Sequence, residues 1–133
     1  MSPMPVRTKR WNDPTEPDDG FRLLICRLRP RGVAKAKETW DEWWQDLGPS
    51  RKLLDEFHGK ESRPIPWSAY AARYLDEMRG PAQLWRIRDL RQRLAEGKAV
   101  TLLCSSTCTE PGRCHRTLLA DIIGRQRRGR ALS

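Results

Sequence analysis

Residues 99–123 read AVTLLCSSTCTEPGRCHRTLLADII. An apolar run from Lys98 to Cys104 reads as a buried strand, the polar segment after it as a turn, and the remainder as a helix. The stretch holds three of the four cysteines and one of the two histidines. A strand that feeds a helix through a reactive, basic turn is where open α/β sheets place their ligands.

Upstream, Val6 to Trp11 alternates as a short strand does, and NDPTEPDDG after it is turn-rich. Phe21 to Leu28, FRLLICRL, reads as a second buried strand that ends in the turn RPRG. From Val33 to Leu47 the apolar positions 33, 36, 40, 43, 44 and 47 follow helical spacing, which predicts a helix with Trp40, Trp43 and Trp44 on one face. Gly48-Pro49 stops it. Ser50 then caps a shorter helix through Phe57, closed by His58-Gly59. Pro66 to Arg79 and Ala82 to Glu96 repeat the helical pattern, each ended by a glycine.

About 70 residues of mostly helix separate the two clearest strands, a connection suited to a right-handed crossover between parallel neighbours. The expected fold is a single small α/β domain, a mixed, largely parallel sheet flanked by helices. It covers residues 1–124, with 125–133 as a basic, disordered tail.

The totals bound the function. A chain of 133 residues suits one domain, and six tryptophans supplement a modest aliphatic content. No apolar run reaches the length of about 18 residues that a membrane span needs, and the N-terminus lacks the apolar core of a signal peptide. Three cysteines bunched within 11 residues do not resemble a disulfide framework, so the expected compartment is the cytoplasm, with reduced thiols. The net charge of +9 favours anionic partners, but six arginines against Asp121 place about +5 of it between Arg113 and Ser133.

The N-terminal VRTKRWNDPTEPDDGFRLLICRLRPRG, the DEWWQDLGPS segment, EFHG, and the LLC…CHRTLLA ending together resemble domain-of-unknown-function family 488, in its YeaO-like branch. The likeness covers roughly residues 5 to 125 and implies a bacterial or archaeal cytoplasmic α/β domain; it carries a fold rather than an activity. Where members commonly read DRLWPRG, this chain has Cys26 in place of the acid and Arg29 in place of the tryptophan. If that acid serves as a general base in relatives, this chain lacks it.

Cys114-His115-Arg116 opens the last helix. A thiol there, beside a histidine and an arginine, sits in a positive field that favours thiolate, and Arg116 with the free N–H groups can hold an anion. Cys114 and His115 are accordingly the candidate catalytic residues. The plainer alternative packs Cys114 as a small apolar residue with its neighbours facing solvent. A phosphate-encircling phosphatase loop fits poorly from Cys108 to Arg113, where only TEPG intervenes and Pro111 removes a donor. Cys104, Cys108, Cys114 and His115 supply four zinc-type ligands. Their spacing is unlike that of structural zinc knuckles, and adjacent Cys114 and His115 do not readily aim at one ion. No cofactor is therefore expected, with zinc at these four as the alternative. A disulfide from Cys114 to Cys104 or Cys108 is a further option.

Arg27, Arg29 and Arg31 follow the second strand. If the two main strands are parallel neighbours, these arginines, Arg116 and Cys104 converge on one ligand-binding cleft. Otherwise the loop arginines pair with Asp18, Asp19, Asp41 or Glu42. His58 can act as a general acid or base, or cap helix carbonyls. Trp40, Trp43 and Trp44 can stack bases, pack the core or form a dimer contact.

The function expected is binding of a phosphorylated or other anionic small molecule by a monomer or homodimer. One alternative is a nucleic-acid-binding accessory protein that uses the tail with Arg86, Arg88, Arg91 and Arg93. The other is a homodimeric interaction protein.

Overall fold

Strands β1 (Val6–Arg10), β2 (Phe21–Leu24), β3 (Glu42–Trp43) and β4 (Val100–Cys104) form one sheet in the order β1-β4-β2-β3. The computed structural model describes residues 6–60 and 62–132, the stretch 125–132 by backbone alone. Every strand pairing is parallel. Val100 of β4 is in register with Val6 of β1 on one side and Phe21 of β2 on the other. The last strand in sequence is therefore central, and composition explains why. All five residues of VTLLC are buried, whereas VRTKR is half-buried along its length, as suits an edge strand.

Helices α1 (Arg51–His58), α2 (Trp67–Glu77) and α3 (Pro81–Ala95) lie between β3 and β4, and α4 (His115–Leu132) follows β4. The Ser50 side chain caps α1 by accepting from the Leu53 N–H at 3.2 Å, and Gly59 ends that helix in the left-handed region. Among the described residues no helix is long and apolar enough to cross a membrane. The basic tail expected from residue 125 falls where side chains lie outside the described residues.

Alternation along the strands divides the core. Leu23 and Leu102 face a cluster closed by Leu53, Tyr74, Leu90 and Leu119 from the helices. Leu24 and Leu103 face a second cluster with Trp40, Cys26, Cys104 and Cys114. This second face also buries a charge network. Asp19 accepts hydrogen bonds from Arg7, Lys9, Arg22 and the Glu16 backbone, and its own carbonyl accepts from Thr101. Gly20, at φ +66°, lets this segment approach β4, since a Cβ there would lie 2.3 Å from the Ala99 carbonyl oxygen.

The helix expected over Val33–Leu47 does not form. The segment contains two short 3₁₀ turns, Lys35–Lys37 and Gln45–Leu47, with β3 between them. Asp41 donates to the Arg22 carbonyl at 2.7 Å and Trp44 to the Leu24 carbonyl at 2.9 Å, so the open edge of β2 claims the backbone. The three tryptophans do not share one face: Trp40 belongs to the second cluster, with Trp43 packed against it, and Trp44 belongs to the first. Their helical spacing comes from serving opposite sides of a sheet edge. The strand read from Phe21 to Leu28 is also shorter, leaving the sheet after Leu24.

Candidate functional site

Parallel pairing puts the carboxyl ends of β1, β2 and β4 at one edge of the sheet, where ligand sites of open α/β folds lie. The loops after β2 and β4 face each other there across a cleft of about 580 Å³. Arg27, Arg29, Arg31, Cys104, Cys114 and His115 line it, and His58 stands at its exposed rim. The two basic loops thus share one cleft, as the parallel-strand argument requires. The lining also includes Cys108 and Arg113, while Leu54, Phe57 and Tyr70 form an apolar wall from α1 and α2.

The arginines divide by what they touch. Arg27 donates to the backbone carbonyls of Pro49 at 2.9 Å and Gly48 at 3.2 Å, holding its loop against the start of α1. That contact needs glycine at 48, because a Cβ would come within 2.4 Å of the Arg27 nitrogen. Arg29 pairs with Glu38 at 2.6 Å and lies over the Trp40 ring. Arg31 and Arg113 are exposed, and neither makes a side-chain hydrogen bond or ion pair among the described residues. The pairing with Asp18, Asp19, Asp41 or Glu42 does not occur. Asp18 and Asp19 are taken by Arg7, Lys9 and Arg22, Asp41 accepts from the Arg22 backbone, and Glu42 accepts from Trp44.

Arg116 is a correction to the expected cleft. Its side chain is 4% exposed and is not part of the cleft lining; one of its nitrogens donates to the Cys108 carbonyl at 3.4 Å. It sits on the buried side of the first turn of α4, next to residues that pack against the sheet. Arg113, two residues before the helix, faces the cleft instead.

At the floor, the Cys114 and Cys104 sulfurs are 3.3 Å apart, and Nδ1 of His115 is 3.9 Å from the Cys104 sulfur. All four cysteines are free, and Cys26 and Cys108 pack against the same pair. His115 Nε2 lies 2.8 Å from the Ile25 carbonyl oxygen. A carbonyl only accepts, so Nε2 carries the proton and Nδ1 presents a lone pair to the thiols. Burial pushes the imidazole down from its ordinary value, which keeps the ring neutral. The Cys104 thiol is held up chiefly by its hydrogen bond with Cys108, and the Cys114 thiol chiefly by its hydrogen bond with Cys104. Cys108 is pulled down, first by the hydrogen bonds from Cys104 and Cys114 and then by the Arg116 charge.

Adjacent residues 114 and 115 reach one point after all. Cys114 is extended, at φ −137° and ψ 142°, and His115 is the first residue of α4. The change of backbone conformation between them swings both side chains to the sheet end. Sequence reading weighed Arg113 only as the end of a poorly fitting phosphatase loop, and Cys108 in that loop, as a metal ligand and as a disulfide partner, and named neither as a ligand-binding residue. The signal available was their position inside the 104–114 turn.

Of the arginines on α3, Arg86 pairs with Asp46 and stacks on Trp44, while Arg93 pairs with Asp89 and covers Phe21. These two are occupied within the fold. Trp40 and Trp44 are buried, and Trp43 donates to the Cys26 carbonyl at 2.6 Å.

These features define a parallel α/β domain with a thiol floor and arginine rim at the carboxyl ends of its strands. The chain matches the family model described as DUF488-N3a, the active DUF488-N3 subclade, over residues 6–127, and it belongs to that family. It is 34% identical over 119 residues to the uncharacterized protein YeaO of Escherichia coli (strain K12), covering 89% of this chain and 96% of that one. It is 30% identical over 118 residues to the uncharacterized protein Rv3073c of Mycobacterium tuberculosis (strain ATCC 25618 / H37Rv), covering 89% and 92%. No solved structure matches.

Proposed function

We propose that this protein binds a phosphorylated or otherwise anionic small molecule in the cleft between Arg27–Gly32 and Cys104–Arg113. One observation carries the reading: among the described residues four arginines line the cleft and no carboxylate does. An anion entering it meets the unpaired charges of Arg31 and Arg113 near a low-dielectric wall of Leu54, Phe57 and Tyr70, where each attraction is strengthened. Arg31 and Arg113 are the side chains offered to the ligand, since Arg27 and Arg29 are engaged in building the loop. Planar guanidinium forks suit phosphate or carboxylate oxygens. The four free thiols support a reducing compartment, and we place the protein in the cytoplasm.

The test is a thermal-denaturation screen against inorganic phosphate, sugar phosphates, nucleotides and short DNA and RNA, using wild type, Arg31→Ala/Arg113→Ala and Arg88→Ala. A small anion at 100 times its Kd should stabilise wild type by about 2.7 kcal/mol. The double variant should lose that shift and Arg88→Ala should keep it. Stabilisation by nucleic acid alone, steeply salt-dependent and unchanged in the double variant, would overturn the reading.

A further inference from the structure

The cleft floor holds a set of soft donors that binding of an anion at the rim does not use. Three donor atoms, Cys104 Sγ, Cys114 Sγ and His115 Nδ1, lie within 4.8 Å of one another, and all three residues are buried. A zinc tetrahedron built from Zn–S bonds of about 2.3 Å and Zn–N bonds of about 2.0 Å has edges of about 3.5–3.8 Å. The observed separations of 3.3 Å and 3.9 Å fall on either side of that range. The third separation, between Cys114 Sγ and His115 Nδ1, is within 4.8 Å, so the three donors surround a space close to that of one ion.

The histidine is already arranged as metal-bound histidines are. Its outer nitrogen donates to the Ile25 carbonyl at 2.8 Å, which leaves the inner one as a donor pair facing the thiols. The fourth corner is available from Cys108. The Cys108 N–H donates to the Ser105 carbonyl at 3.0 Å, a turn that brings the chain back beside Cys104, and Cys108 packs against the same cluster from the cleft side.

Charge supplies an independent observation. Arg116 is 4% exposed, and its Nε has no hydrogen-bond partner among the described residues. Among the described residues its hydrogen bond runs to the backbone of Cys108, and the nearby carboxylate, Asp13, is already paired with Arg10. A buried guanidinium with no carboxylate of its own needs an anionic neighbour. Three thiolates and a neutral imidazole around a divalent ion carry a net charge of −1, which meets that need.

We propose that Cys104, Cys108, Cys114 and His115 bind one zinc ion at the floor of the cleft. Each bound thiol gives up its proton to solvent and no electrons move, so the site forms without an oxidant or reductant. The proposal stands apart from the anion reading, because its ligands are not the arginines that would hold the anion.

The full chain, stripped of metal under reducing conditions, would be titrated with Co²⁺ and then with Zn²⁺. The expected result is one equivalent of cobalt with intense tetrahedral d–d bands and a thiolate-to-cobalt charge-transfer band, both removed by an equal amount of Zn²⁺. Cys108→Ser should lower the charge-transfer intensity by one thiolate's share, and Cys26→Ser should leave it unchanged. His115→Ala and Cys114→Ser should weaken Zn²⁺ by more than about 100-fold, beyond the cost of losing an outer-sphere partner. Variants that fail to fold do not remove the test, because zinc released from the wild type by a mercurial reports thiolate ligation directly. A weak octahedral cobalt spectrum, or a Cys26→Ser variant that loses the thiolate share, would overturn the assignment. So would a chain that takes up no metal and forms a Cys104–Cys114 disulfide equally fast with and without zinc.

Discussion

His115 Nε2 lies 2.8 Å from the carbonyl oxygen of Ile25, across 90 residues of sequence. The first residue of α4 is thereby tied to the residue that leaves β2, and the two loops bounding the cleft share one fixed point. The bond satisfies a buried carbonyl, sets the imidazole tautomer and aims Nδ1 at Cys104.

His115→Ala should therefore cost about 3 kcal/mol, combining a void with an orphaned carbonyl. Urea unfolding with chelator present checks this in the metal-free protein. A loss below about 1 kcal/mol would mean that the Ile25 contact does not hold the loops together.

Asp19, 1% exposed, is the counter-charge for buried Arg22, so Asp19→Asn should destabilise by about 3–5 kcal/mol at neutral pH. Burial by itself would raise the Asp19 carboxyl. The hydrogen bonds from Lys9 and the Glu16 backbone, with the charges of Lys9 and Arg22, outweigh burial and hold it below its ordinary value. A lowered folded-state value stabilises fully above the unfolded value of about 3.9 and fades as pH falls through the folded one. The difference between wild type and Asp19→Asn should thus be constant from pH 7 to about pH 5 and shrink below about pH 4. A difference independent of pH would contradict the network.

Gly48→Ala places a methyl group 2.4 Å from the Arg27 nitrogen, against backbone that cannot swing away. The expected cost is about 1–3 kcal/mol, as for other overpacked sites. Because Arg27 holds the Gly48 and Pro49 carbonyls, the same substitution should speed amide exchange at residues 27–29. Slow exchange there in the variant would show that the loop is anchored elsewhere.

The tryptophans should behave oppositely according to burial. Trp44, 4% exposed, should cost about 3–5 kcal/mol on replacement by alanine. Trp85, 69% exposed on α3, should change stability by less than about 0.5 kcal/mol. Denaturant midpoints of the two variants decide it.

Much of this was legible from local pattern. The unbroken apolar run VTLLC pointed to a buried strand, and it is the central one, buried at all five positions. Ser50 and Gly59 marked the ends of α1 because capping is a local matter of backbone groups and permitted φ. The family was legible too, in motifs spread from the N-terminus to the Cys-His-Arg triplet.

The 33–47 segment was not legible, since apolar residues three and four apart satisfy a helix template whether they share a helix face or serve two sides of a sheet. Hydrogen-bonding groups left open on β2 chose between those outcomes, and they lie about 20 residues away. Arg116 and Arg113 differ likewise only in where the first turn of α4 meets the sheet.

Periodicity, capping and residue chemistry thus determined the strand and helix inventory apart from that segment, the parallel crossover, and the kinds of donor near the last helix. They act within a few residues, so they can be read in one dimension. That Ile25, Cys104, Cys114 and His115 form one cluster, and that Arg113 rather than Arg116 lines the cleft, came from packing between segments 10 to 90 residues apart. No local preference encodes such contacts, because they exist only once parallel pairing has brought the strand ends to one edge.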